Sequence, residues 1–248
     1  LQSQMIEVSH LHKSFGKVVA VQDVSFTAPD GQITGLLGPN GAGKTTTLRV
    51  LYTVLKPDRG TAAVDGYDAV TAAPEVQRRI GALADNRGLY LRLTARENIR
   101  YFGRLQGLNG ETLEKNIEDL IKLLDMQEFA DRRTDGFSQG QRLKVAIARA
   151  LVHGPRNVLL DEPTNGLDVM STRAMRAFIR RLRDEGNCVL FSSHIMQEVA
   201  ALCDNIVVIA RGQVVANGAP DELRRATGQA NLEDAFVAAI GTDEGLML

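Results

Sequence analysis

The segment GPNGAGKT, from Gly38 to Thr45, restricts the possible folds of this chain more than any other feature. It matches the pattern G-x-x-x-x-G-K-[ST], in which small residues let backbone N–H groups surround a phosphate. The apolar run from Ile33 to Leu37 predicts a buried strand before it, and the stretch from Gly43 to Leu55 is compatible with a helix. A strand, a glycine-rich turn and a helix form half of a βαβ unit. We therefore predict an α/β protein with a phosphate-binding loop.

The residue types in this loop suit a nucleoside triphosphate. The Lys44 ammonium can reach β- and γ-phosphate oxygens, which makes it a catalytic candidate, and the Thr45 hydroxyl can ligate Mg²⁺. The dinucleotide-binding pattern G-x-G-x-x-G fails, because Thr46 stands where its third glycine would be. The candidate phosphate-binding residues are Gly38, Pro39, Asn40, Gly41, Ala42, Gly43, Lys44, Thr45 and Thr46.

The second half of the chain repeats the alternation of strands and helices. Three short apolar runs predict buried strands at Asn157 to Leu160, Cys188 to Ser193 and Asn205 to Ala210. Helical stretches from Ser171 to Glu185 and from Ile195 to Leu202 separate them. This order predicts a mostly parallel sheet with helices on its faces.

Three further segments extend this core. Ile6 to Phe15 and Val18 to Ala28 are rich in β-branched residues and predict an antiparallel pair of strands. Asn86 to Pro155 has helical periodicity without a strand-like run, so we predict a helical insertion there. A short helix from Leu232 to Ile240 and a loose tail are expected at the end.

Composition and charge exclude several classes of protein. The 29 Lys and Arg balance 30 Asp and Glu, so no global basic field favours nucleic acid, and the arginines from residue 171 to 185 are interpreted as a solvated helix face. No apolar window reaches the length of a membrane span, and polar residues such as Lys13 argue against a signal peptide. Met5 resembles a natural start. Cys188 and Cys203 are expected to be buried thiols in a reducing compartment.

The segment from Val158 to Glu162 is an apolar strand that ends in two adjacent carboxylates. Neighbouring residues of a strand point to opposite faces, so Asp161 and Glu162 should have different roles. Asp161 suits a Mg²⁺ ion, and Glu162 suits the polarisation of an attacking water molecule.

The chain also contains a motif that is typical of a different enzyme class. Gly136 to Gly140 matches the nucleophile-elbow pattern G-x-S-x-G of serine hydrolases, with Asp161 and His194 following Ser138 in the usual order. The elbow requires a buried strand directly before the serine, yet five of the eight residues from 128 to 135 are charged. The serine hydrolase is therefore a remote alternative.

Together, these motifs resemble the nucleotide-binding subunit of ATP-binding cassette (ABC) transporters, over residues 5–225. FSQGQ, from Phe137 to Gln141, stands where that family has its signature LSGGQ. The resemblance implies a P-loop NTPase core of the ABC type, with an antiparallel β subdomain, an α-helical subdomain inserted at about 86–155, and a C-terminal helix and tail at 226–248. It further implies that Phe15 stacks on adenine, Ser138, Gly140 and Gln141 bind ATP, Asp168 couples the two sites, and His194 senses the γ-phosphate.

Two positions depart from the family pattern, whereas three sequence segments indicate a particular group within the family. Asp85 stands where the family has a glutamine that reaches Mg²⁺ and contacts the membrane subunit, so Asp85 is a candidate metal ligand. Gln139 replaces a glycine of the signature. GLYLRLTARENIRYFGRL, DEPTNGLDVMSTRAMR and FSSHIMQEVAALCD are similar to the sodium-extruding Nat-type exporters.

The resemblance implies an ATPase that uses ATP and Mg²⁺ to drive an integral membrane permease, as an exporter of sodium ions. Two copies, or this chain and a second nucleotide-binding subunit, would sandwich ATP head to tail at the cytoplasmic face of the cell membrane, with Tyr90 to Asn98 as the coupling region. No nucleic acid partner is expected. The alternative is a soluble cassette ATPase acting on nucleic acid or ribosomes, which would need a second cassette or a long coiled-coil insertion.

Overall fold

The computed structural model describes residues 5–84 and 88–241. The strands in this part of the chain are β1 (Met5–Phe15), β2 (Val18–Pro29), β3 (Ile33–Leu37), β4 (Arg59–Val64), β5 (Tyr67–Asp68), β6 (Ile80–Leu83), β7 (Asn157–Asp161), β8 (Cys188–Ser193), β9 (Asn205–Ala210) and β10 (Gln213–Gly218). The helices are α1 (Lys44–Leu51), α2 (Ala73–Arg79), α3 (Ala95–Leu105), α4 (Gly110–Leu123), α5 (Gln139–Leu151), α6 (Val169–Asp184), α7 (Met196–Leu202), α8 (Pro220–Thr227) and α9 (Leu232–Ile240).

The strands form one sheet in the order β5-β4-β1-β2-β10-β9-β3-β8-β7-β6. Within the run β9-β3-β8-β7-β6, each strand is parallel to the next. Every residue of β3, β7 and β8 is buried, because helices cover both faces of this half of the sheet. The predicted α/β core with a mostly parallel sheet is therefore confirmed.

The other half of the sheet is antiparallel, as predicted for the first two strands. β1 pairs with β2 across the turn at Gly16, and β4 pairs with the opposite edge of β1. β10 returns antiparallel to β9 and touches β2 at a single pair, Gln213 with Asp23, which joins the two halves.

A helical segment lies between β6 and β7. Helices α3, α4 and α5 pack through apolar faces, with Leu113, Ile117 and Ile147 buried in the same core cluster as Leu160. The segment therefore belongs to the core that covers one face of the parallel strands.

The sheet places alternate residues of each strand on opposite faces. In β3, Leu36 packs into the cluster that contains Leu48 of α1, and Leu37 packs into the cluster that contains Ile179 of α6. Packing on both faces of the sheet holds the carboxyl ends of β3, β7 and β8 side by side in register. The loops that follow these three strands therefore meet at one edge of the sheet.

Candidate functional site

A cavity of about 650 Å³ lies at this edge of the sheet. The glycine-rich loop follows β3, Glu162 directly follows β7, and His194 directly follows β8. The strands β1 and β2 contribute the opposite rim. The lining residues are Phe15, Val18, Val19, Ala20, Asn40, Gly41, Ala42, Gly43, Lys44, Thr45, Thr46, Glu162, Asn165 and His194.

The glycine-rich loop is shaped by close backbone contacts. Gly43 has φ 107°, and a Cβ there would lie 2.6 Å from the carbonyl oxygen of Ala20. A Cβ on Gly38 would lie 2.1 Å from the carbonyl oxygen of Ile209. Only glycine fits at these positions, so the loop backbone can lie against neighbouring strands and still open its concave side to the cavity.

Lys44 lies at the first position of α1 and is 5% exposed. Its Nζ donates hydrogen bonds to the carbonyl oxygens of Gly38 at 2.7 Å and Pro39 at 3.2 Å, and lies 3.7 Å from Oε1 of Glu162. Burial lowers the pKa of Lys44, while the carboxylates of Glu162 and Asp161 act in the opposite direction. The ammonium is thus held beside the glycine-rich loop and ready for an anionic group.

Asp161 and Thr45 offer oxygen atoms side by side. The Thr45 hydroxyl donates to Oδ1 of Asp161 at 3.1 Å, and the Ser192 hydroxyl donates to the same oxygen at 2.6 Å. A carboxylate and a hydroxyl are the hard donors that Mg²⁺ prefers, with phosphate oxygens and water completing its shell. Within residues 5–84 and 88–241, no group of three or more His, Cys, Asp or Glu could hold a metal by itself. The pair therefore fits a Mg²⁺ ion brought with a phosphate substrate.

Glu162 follows Asp161 directly but faces a different environment. Its side chain opens to the cavity, and its Oε2 lies 3.0 Å from Nδ1 of His194. Its backbone N–H donates to the Ser192 hydroxyl at 3.0 Å. Glu162 has φ 46°, the left-handed conformation that a non-glycine residue rarely adopts. The turn therefore separates the buried Asp161 from a carboxylate that can contact substrate.

The signature residues lie elsewhere. Ser138 caps helix α5, since its hydroxyl accepts from the N–H of Gln141 at 3.2 Å, and the Gln141 side chain accepts from the N–H of Ser138 at 3.0 Å. Asp168 caps α6 by accepting from the N–H of Ser171 at 2.8 Å. Among the described residues, those that line the cavity do not include Ser138, Asp168 or Gly140. The structure thus does not bring these predicted ATP contacts to the cavity of their own chain.

The nucleophile elbow is not formed. Residues 127–137 contain no strand outside the single bridge at Arg133, and the Ser138 hydroxyl serves as a helix cap. His194 contacts Glu162. The geometry of a serine hydrolase is therefore absent from this part of the chain.

The last two predicted residues are Phe15 and Asp85. Phe15 is 48% exposed at the mouth of the cavity, with Lys13 Nζ 5.6 Å from its ring centre, so a flat ring has room to stack there. Asp85 lies outside the described residues.

Sequence reasoning missed the supporting polar residues. Ser192 holds Asp161 and Glu162, and the buried pair Thr164 and Glu198 lies behind the cavity. The signal available was polar residues at the ends of two apolar strands, in FSSH and DEPT.

No helix in residues 5–84 and 88–241 combines the length and the apolar character needed to span a membrane.

Known proteins that are similar to this chain include ATP-binding proteins of transporters. The model of the family "ABC transporter" matches residues 21–165. ABC transporter ATP-binding protein NatA of Bacillus subtilis is 48% identical over 90% of this chain and 91% of that protein. Nod factor export ATP-binding protein I of Burkholderia lata is 36% identical over 88% of this chain and 72% of that protein. Doxorubicin resistance ATP-binding protein DrrA of Mycobacterium tuberculosis is 35% identical over 96% of this chain and 75% of that protein.

A solved structure gives the same result. It is described as the structure of the ATP binding subunit of an ABC transporter, and it aligns with a TM-score of 0.88. The sequence identity is 28%, and the alignment covers 96% of this chain and 100% of the other.

Proposed function

The chain belongs to the ABC transporter family as an ATP-binding subunit with ATPase activity coupled to transport, and from this premise we propose that it powers an exporter by closing on ATP as a dimer. The observation that carries the proposal is the arrangement of Glu162, His194 and Lys44 around the glycine-rich loop, with separations of 3.0 and 3.7 Å from the Glu162 carboxylate. A reacting phosphate could contact all three groups.

The loop backbone and several side chains at the cavity have proposed roles in hydrolysis. The backbone N–H groups of the loop and the Lys44 ammonium bind the β- and γ-phosphates. Asp161 and Thr45 would hold Mg²⁺, which would supply neutralisation of phosphate charge. Glu162 accepts a hydrogen bond from the attacking water and orients it, while His194 contacts the γ-phosphate. Phe15 stacks on the adenine ring at the mouth.

A second copy completes the site in this proposal. Ser138, Gly140, Gln141 and Asp168 lie outside the cavity of their own chain, at the starts of two helices. The start of α5 carries unpaired N–H groups and positive partial charge, which suit a γ-phosphate presented by the partner. ATP would thus bridge two copies, or this chain and a second nucleotide-binding subunit.

The membrane permease is proposed to dock near α3. Tyr90 and Leu91 are 50% and 48% exposed, and Tyr90 packs edge-on against Tyr101 at 5.2 Å. Exposed aromatic side chains in a rigid cluster are typical of interaction surfaces. The docking would hold the chain at the cytoplasmic face of the cell membrane.

Sodium ions are the proposed cargo of the permease. Support comes from the three sequence segments similar to Nat-type exporters and from the 48% identity to NatA. The outward direction is supported by relatives that are named for export and drug resistance.

Affinity purification from gently solubilised native membranes tests the assignment. A polytopic membrane protein should co-purify in stoichiometric amount, and vesicles holding the complex should move sodium ions only with ATP. Vesicles with Glu162→Gln provide the control for leak. A ribosomal or nucleic-acid complex without a membrane protein would contradict the transporter assignment, and ATP-dependent flux of other solutes without sodium would contradict the cargo.

A further inference from the structure

A buried carboxylate lies behind the cavity and has no role in the mechanism above. Glu198, on the first turn of α7, is 3% exposed. A charged group at this depth is costly to bury unless it is well hydrogen-bonded. Its partners therefore indicate what it stabilises.

The carboxylate of Glu198 joins two segments that are far apart in sequence. Its Oε2 accepts from the Thr164 hydroxyl at 2.5 Å and from the Ser193 hydroxyl at 3.3 Å. Its Oε1 lies 3.8 Å from a guanidinium nitrogen of Arg176. Thr164 and Ser193 are buried as well, so solvent cannot easily replace these hydrogen bonds.

Both segments carry a proposed catalytic residue. Thr164 lies two residues after Glu162, and Ser193 directly precedes His194. The Ser193 oxygen also accepts from the N–H of Ile195 at 3.0 Å, which fixes the turn beyond His194. Glu198 therefore contacts the residues that flank both members of the Glu162–His194 pair.

The Glu162 turn needs such support. Its φ of 46° is unfavourable for a residue with a Cβ, and such conformations persist when the surroundings hold them. On one side of Glu162 the Ser192 hydroxyl accepts from its N–H, and on the other side Thr164 is tied to Glu198.

We propose that Glu198 is a positioning residue, which links Thr164 to Ser193 and thereby fixes the distance between Glu162 and His194. This inference rests on the roles proposed for Glu162 and His194 in ATP hydrolysis. A misplacement of reacting groups by about 1 Å can cost about 10²-fold in rate. Loss of the link should accordingly lower kcat and leave ATP binding at the glycine-rich loop unchanged.

Variants at Thr164 test the link in the full chain. Thr164→Val keeps the side-chain shape and removes the hydroxyl, and we expect kcat to fall about 10-fold with the KM for ATP within about twofold of wild type. Thr164→Ser restores the hydroxyl and should restore kcat. Glu198→Gln should resemble Thr164→Val. Glu185→Gln, which removes an exposed carboxylate at the end of α6, is the matched control and should leave kcat unchanged.

A double-variant cycle separates positioning from general stability. If Glu198 acts through His194, adding Glu198→Gln to His194→Ala should cost less than twofold beyond His194→Ala alone. If the kcat losses of Glu198→Gln and His194→Ala multiply in the double variant, the proposal is overturned. It is also overturned if the kcat of Thr164→Val equals that of wild type. Equal kcat losses in Thr164→Val and Thr164→Ser with a lowered Tm would overturn it as well, because that result indicates a packing role.

Turnover of Glu162→Gln, measured in the same assay, distinguishes failure of the proposed catalytic roles from failure of the positioning role of Glu198. Wild-type turnover in Glu162→Gln would overturn the proposed catalytic roles themselves. Lost turnover in Glu162→Gln with full turnover in both Thr164→Val and Glu198→Gln would overturn only the positioning role of Glu198.

Discussion

At the scale of single residues, Asp161 and Glu162 differ because a backbone turn separates their environments. Asp161 is 2% exposed and accepts two hydroxyl hydrogen bonds, whereas Glu162 opens to the cavity. A buried carboxylate held by two hydroxyl groups suits a fixed metal ligand, and a carboxylate in the cavity can contact water.

Removal of the Glu162 charge should separate binding from turnover. Glu162→Gln keeps the size of the side chain, so ATP affinity should stay within a few-fold of wild type. Turnover should fall by about 10²-fold or more, the typical effect of losing a positioned base. Steady-state hydrolysis and equilibrium ATP binding measure the two quantities. Unchanged turnover would remove Glu162 from its proposed role.

Gly43 should tolerate no side chain. Alanine there would combine a positive φ with a Cβ 2.6 Å from the Ala20 carbonyl oxygen, and we expect a loss of about 1–3 kcal/mol in the free energy of unfolding. Gly107→Ala is the control, because Gly107 has φ 85° with open space around it. Urea unfolding compares the variants, and equal losses would show that the steric contact is unimportant.

The buried thiols should make stability fall at high pH. Burial raises the pKa of Cys188 from the ordinary 9.0 to about 12. Between these values the unfolded chain releases the thiol proton and the folded chain keeps it, so the free energy of unfolding should decrease as pH rises from about 9 to 12. Cys188→Ala should flatten this decrease in urea titrations. An identical slope in the variant would contradict the assignment.

At the scale of helices and strands, elements with a continuous or periodic apolar pattern are predictable, and several short strands without one are not. β3, β7, β8 and β9 were expected because continuous apolar runs mark strands that helices cover on both faces. β10, with the sequence QVVANG, alternates between exposed and half-buried residues and was missed.

Other missed elements lack a local signal. β4 begins with three exposed residues, and β6 follows α2 without a turn residue between them. Helix α1 ends at Leu51, four residues before the predicted end, because Thr53 adopts φ 63° and turns the chain.

The phosphate-binding loop was predictable because its motif is contiguous. The contacts of Glu198 join residues up to 34 positions apart, which no local pattern reveals.

The cap of α5 should have a role that the cap of α3 lacks. Ser138→Ala and Thr94→Ala each remove one member of a capping box, so each should cost about 1 kcal/mol of stability. Only Ser138→Ala should weaken ATP-dependent dimerisation, and ATP binding by the monomer should remain. Sedimentation velocity with ATP compares the two variants. Equal dimerisation of both would exclude Ser138 from the interface.

At the scale of the whole molecule, we propose that the chain divides the chemistry of ATP between two surfaces. One is the cavity at the carboxyl ends of the parallel strands, and the other carries Ser138 and Asp168 at the starts of α5 and α6. A cycle of closing on ATP and opening after hydrolysis would transmit work to a membrane partner.

The mass of Glu162→Gln in solution, measured by light scattering with and without Mg²⁺ and ATP, is the most direct test of ATP-driven closure. We predict a monomer without nucleotide and a dimer of twice the monomer mass with ATP. Lys44→Ala in the same variant should abolish the dimer, since the glycine-rich loop then loses its phosphate-binding ammonium. A monomer at saturating ATP would contradict the claim that ATP closes two copies of this chain.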